Sequence, residues 1–243
     1  MSRRAPGLLT FFLIAAATLA ACALAIAAGI PWMTPVLTAL PGCAALWAGL
    51  STGSRARALA LTLTWTVTLG VAMTWLGAAH NGMAARSVPM GPAYRDEMRA
   101  WIATGSGRES EPSRFIPQHL THASLFAATS LATAGAAGLI MGAALMGYMS
   151  FYVGDLTHAG FAACSPARVA LLAWKPWAIV RVVSFVALGV VLAEPLMMRL
   201  TGRRCPPGRL WWIGAALAGL VADIALKATL APAWRSMLAA CAG

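Results

Sequence analysis

The chain has 243 residues, of which 60% are apolar and only 10% carry a charge, with a formal charge of +11 and a mean hydropathy of +0.73. Ordinary soluble domains carry charge on about a quarter of their residues, so this composition excludes one and predicts an all-α, polytopic integral membrane protein forming a single transmembrane domain over 1–243. The surplus cations lie between apolar runs and no basic stretch is interleaved with aromatics, which points to the lipid bilayer and its headgroups as partner, and to no nucleic acid.

The opening MSRRAPG and the apolar run behind it have the order of a secretory leader, and Leu19-Ala20-Ala21-Cys22 matches a lipoprotein cleavage box. The run continues past Cys22 without a polar start, so residues 8–29 are read as a first span. Residues 30–50 are as apolar but carry Pro31, Pro35 and Pro41; they are read as a kinked sixth span, the alternative being a re-entrant segment. Further apolar runs of spanning length lie at 58–79, 123–150, 177–198 and 210–231, giving five or six transmembrane helices. In the run at 58–79, Thr62, Thr64, Thr66 and Thr68 alternate, which spreads them around a helix and favours bonds to its own carbonyls over a pore-lining stripe.

One polar loop, at about 80–118, separates the second and third strong runs, and its YRDEMRAWI stretch reads as a short amphipathic helix at the interface. The order of spans then sets sidedness. It places 153–170 opposite that loop and 199–209 beside it, and the arginines make the loop face cytoplasmic. The five cysteines show no C-x-x-C spacing, so neither a zinc site nor a disulfide framework can be read from them.

Few polar residues remain to carry chemistry. Asp223 and Lys227, at i and i+4 within the last span, form the stronger pairing order for a helix, and Arg181 on the preceding span can clamp Asp223 from the other side. Ionisable residues inside a span are candidates for an ion or proton relay. Glu194 joins them as a relay candidate, or pairs with Arg199 or Arg203. His119 and His122 share a helical face at the start of the run at 123–150. With His80 they supply three imidazoles on one membrane side, a donor set that suits copper or zinc. The competing reading makes them end-of-helix polar groups. His158, across the bilayer by this span order, is excluded from the set. Gly135, Gly138 and Gly142 include a G-x-x-x-G pair and predict close helix packing.

No nucleophile elbow, Walker loop or H-E-x-x-H motif occurs in the sequence. The chain therefore reads as a membrane transport component or a non-catalytic membrane subunit of a larger complex. It would be integral to the cell inner membrane, assembled with other membrane subunits or with copies of itself; the absent motifs lean against an enzyme without deciding the point. One alternative is a metal-binding membrane protein holding copper or zinc at His80, His119 and His122. Another is a membrane-embedded enzyme modifying lipid or isoprenoid with Glu194, His119 and His122.

Overall fold

A computed structural model describes residues 7–159 and 163–242. These residues form helices and turns, and six helices are long and apolar enough to cross a membrane: α1 (Leu8–Ala28), α2 (Met33–Leu50), α3 (Arg55–Ala79), α7 (Ala136–His158), α9 (Pro176–Leu200) and α10 (Arg209–Ala242). Between them lie α4 (Asn81–Ser87), α5 (Gly91–Thr104), α6 (Pro112–Ala132) and α8 (Pro166–Ala173). The proline-bearing segment after residue 30 is thus a sixth spanning helix, with Pro41 inside it. Gly29, in the left-handed region at φ 68°, closes α1 and lets the chain turn back before Pro31.

The apolar run at 123–150 is not one span. It breaks at Thr133-Ala134-Gly135, where Ala134 and Gly135 have φ of 49° and 89°. The Gly135 N–H closes α6 on the Ser130 carbonyl at 2.9 Å, and the Thr133 hydroxyl accepts from the Ala137 N–H at 2.9 Å, capping the start of α7. Trp47 of α2 holds the turn by donating its indole N–H to the Ala134 carbonyl. As a result α6, at 21 residues, runs antiparallel to α7 as a seventh leg of the bundle. Residues 153–175 return to the same end as the loop at about 80–118, which overturns the expected sidedness and brings His158 to that end.

The two ends differ in construction. At one, Arg55 binds Glu194 at 2.7 Å and donates to the Pro206 and Pro207 carbonyls, tying α3 to α9 and the following turn; this is the Arg55 end. At the other, the Glu109 end, α5 lies across the bundle with Met98, Trp101 and Ile102 buried beneath it. Asp155 of α7 holds it through Arg95 and Arg99. The 34 residues of α10 span about 50 Å at 1.5 Å each, well beyond a hydrocarbon core of about 30 Å. Its far end therefore joins this cap. Arg235 donates to the Trp101, Ile102 and Ala103 carbonyls at the end of α5, and Cys241 is bonded to Cys164.

The glycine contacts separate by position. Gly135 serves the turn, with Leu46 and Ala193 packed against it, and Gly138 lets Ser130 of α6 close on α7. A Cβ added at Gly142 would meet only the Phe126 ring, 4.0 Å away. A close backbone approach between spans is that of Gly154 on α7, where an added Cβ would stand 2.5 Å from the Thr74 carbonyl oxygen and 2.8 Å from the Ala78 nitrogen of α3. Backbone cannot give way as a side chain can. Gly154→Leu is therefore expected to destabilise the bundle by about 3 kcal/mol or more, read as a lower unfolding temperature in detergent. Gly214→Leu, with no atom within 4 Å, should leave that temperature unchanged.

Candidate functional site

The buried charges at the Glu109 end come from segments far apart in sequence. Glu109 lies in the α5–α6 loop, Lys175 precedes α9, and Lys227 sits on α10; all are at most 5% exposed. The Glu109 carboxylate takes the Lys175 ammonium at 3.1 Å on Oε1 and the Lys227 ammonium at 3.4 Å on Oε2, with the Trp177 indole N–H donating at 3.3 Å. Lys175 stands in an aromatic box, 5.5 Å from the Tyr152 ring centre and 5.6 Å from that of Trp101, where ring quadrupoles replace part of its lost hydration. Lys227 lies 4.6 Å from the centre of the Phe115 ring. Burial pushes the Glu109 carboxyl up, but Lys175, Lys227 and Arg181 outweigh it and hold it down at about 2.

One layer deeper are Asp223 and Arg181. Asp223 is 0% exposed, and neither of its carboxylate oxygens has a hydrogen-bond partner among the described residues. Its nearest polar neighbour is His119 Nε2, 3.0 Å from Oδ2. The same ring nitrogen lies 2.7 Å from Arg181 Nη1, and His119 Nδ1 lies 2.7 Å from the Phe115 carbonyl. With Nδ1–H given to that carbonyl, Nε2 can accept from Arg181 or, once protonated, donate to Asp223. It cannot do both. Lys227, expected beside Asp223, turns to Glu109 instead because that carboxylate already stands between two helices' ammonium groups.

A cleft between α6, α7 and α9 reaches this layer. It holds about 90 Å³ of water-accessible space, is bounded by Glu97, Arg108 and Gln118 at the Glu109 end, and runs inward to Leu46, Trp65 and Gly135. Arg108 and Glu97 pair at its mouth at 2.8 Å. His119, His122, Arg181 and Lys227 line its polar part.

The other sequence candidates fall elsewhere. Glu194 is buried at the Arg55 end against Arg55, far from the histidines, and neither Arg199 nor Arg203 is its partner. It ties helices together. His80 is exposed at the end of α3 with its ring 6.3 Å from that of Trp75. Among the described residues no three His, Cys, Asp or Glu side chains gather as a metal site would require, so His80, His119 and His122 do not converge. Thr64, Thr66 and Thr68 bond back to carbonyls of their own helix, although Thr62 and Thr66 also line the cleft.

Nothing in the sequence patterning above singles out Glu109 or Lys175. A signal was present in Lys175-Pro176-Trp177. A cation at a helix N-terminus opposes the helix dipole, so a lysine there calls for a specific anion. No protein-family model matches this chain, and neither curated proteins nor solved structures give a match.

Because Glu109 binds its proton less readily when folded than at its ordinary value of 4.5, its pairing stabilises the protein above that pH. The stabilisation fades as pH falls toward about 2. Glu109→Gln leaves two buried ammonium groups without a counter-charge and is expected to cost about 3–5 kcal/mol at neutral pH. Thermal unfolding of both proteins across a pH series should show the gap closing between pH 4.5 and about 2; a pH-independent gap would show that the charge of Glu109 is not what matters.

Proposed function

We propose that this protein is a transport component of the cell membrane that moves an anion through the cleft in step with a proton. The observation that carries the proposal is the position of His119 Nε2, within reach of both Arg181 and a fully buried Asp223 that has no other partner. A proton arriving on Nε2 makes it a donor to Asp223, which satisfies the carboxylate and releases the Arg181 guanidinium toward the cleft. Loss of the proton reverses the exchange. Anion capture at Arg181 is thereby tied to protonation of His119, the linkage that a proton-coupled carrier needs.

The same geometry weighs against the two other readings. A metal ligand or a general base must offer a ring nitrogen to its metal or substrate. Both nitrogens of His119 are already engaged inside the protein.

The disulfide supports one orientation. Cys164 and Cys241 are joined at the Glu109 end, and such bonds persist in oxidising compartments. The cleft mouth therefore opens away from the cytoplasm, in an inner membrane toward the periplasm, opposite to the orientation expected from arginine counts. Cys205, exposed at the Arg55 end, should react with a membrane-impermeant maleimide only after cells are permeabilised. Labelling in intact cells would reverse this assignment.

The transport reading is tested in proteoliposomes with anions that stay charged and cannot flip unaided: phosphate, methanesulfonate and octanesulfonate. An imposed proton gradient should drive uptake of at least one of them, and Asp223→Asn and His119→Gln should abolish that uptake. Wild-type uptake no faster than in empty vesicles, or equal uptake by both variants, would retire the proposal.

A further inference from the structure

We infer that the cleft takes a single-chain amphiphile, with an anionic head of carboxylate or phosphate type held at Arg181 and an unbranched apolar tail lying along α7 toward Gly135. The inference names the cargo class for the transport reading above and rests on it for its use of Arg181.

Two independent features of the cleft lead there. The first is charge. Arg108 is paired with Glu97, while Lys175 and Lys227 share Glu109. Arg181 lines the cleft but has no carboxylate in ion-pair contact among the described residues, its one polar contact being the His119 ring. A guanidinium inside a membrane bundle is costly unless its donors are met. Asp223 and Glu109 act on Arg181 only across a gap wider than an ion pair, so an anion entering the cleft would meet its donors directly, and guanidinium matches carboxylate and phosphate oxygens in a two-point geometry.

The second feature is shape and polarity beyond Arg181. The lining changes to Phe126, Leu139, Met146, Trp65, Val186 and Gly189. Along α7 the lining residues run from Leu139 to Met149, with Gly135 just before the helix, so the cleft follows roughly 20 Å of helix at 1.5 Å per residue. Spreading 90 Å³ over such a length leaves a slit narrower than an alkyl chain, which admits one tail only as the pliable side chains of Met146 and Met149 give way. A fused-ring compound or a two-chain lipid is too broad for it. A small hydrated anion would leave the apolar depth empty of any partner. The missing side chain of Gly142 keeps the middle of the slit open, since a Cβ added there would meet only the Phe126 ring edge, 4.0 Å away.

The test is equilibrium binding of radiolabelled palmitate to the whole protein in nanodiscs, followed by scintillation proximity so that only the saturable signal counts. Palmitate and hexadecyl phosphate should compete for one site per chain, the better competitor identifying the head. Hexadecanol, which lacks the charge, and acetate or phosphate, which lack the tail, should compete at least ~10-fold more weakly, as should palmitate itself against Arg181→Gln, the loss expected for a charge-assisted contact. Gly142→Leu should block palmitate at unchanged unfolding temperature. Competition by hexadecanol equal to palmitate, competition by acetate or phosphate equal to palmitate, or no saturable palmitate binding would each overturn the inference. Because no gradient or flux enters this measurement, the two proposals fail separately. Palmitate binding without sulfonate or phosphate uptake sinks the transport reading alone, and proton-driven uptake without palmitate binding sinks the cargo class alone.

Discussion

One carboxylate, Glu109, must neutralise two ammonium groups that α9 and α10 bring into the same dry space. An ammonium removed from water is stable only if paired or surrounded by polarisable groups, so the α5–α6 loop is fixed by charge where a loop of its length would otherwise be free. That fixed loop sets where α6 begins. It thereby sets the height of His119, the first polar residue of α6 to face α9 and α10. The Asp223 layer exists in its observed form because the Glu109 layer above it holds three helices at one spacing.

The Arg55 end solves the same problem with one direct pair, although Glu194 Oε1 keeps no hydrogen-bond partner among the described residues. Arg55 divides its donors between Glu194 and two carbonyls. At the Glu109 end one carboxylate serves two ammonium groups, and further in Arg181 and Asp223, opposite in charge, meet only through the His119 ring. Structural ion pairs and the candidate site thus use the same residue types. They differ in whether each charge meets an opposite charge directly.

Apolar length alone identified α1, α3, α9 and α10 and suggested α2, since hydrocarbon thickness imposes that length on any span. The break between α6 and α7 was illegible for a physical reason. Threonine, alanine and glycine are apolar enough to continue a span, and the capping hydroxyl of Thr133 reveals itself only when the helix has stopped. That one turn had a large effect, because an uncounted leg reverses the side of everything after it. His119 and Asp223, 3.0 Å apart, were for that reason expected at opposite faces. Asp223 and Arg181 were legible as charges inside spans. Glu109 and Lys175 were not, because burial of a loop residue is decided by tertiary packing and leaves no periodic trace.

The last helix carries Asp223, Lys227 and Arg235 on one continuous rod, and its outer end is fastened both by a covalent bond to Cys164 and by the carbonyls of α5. Pro232 lies inside that rod, between Asp223 and the clamp, so the outer end is held fast while the Asp223 segment is placed by its packing on α9. α6 likewise carries an internal proline, Pro117, two residues before His119, so on both helices a kink point separates the contact of His119 with Asp223 from the cap that covers it.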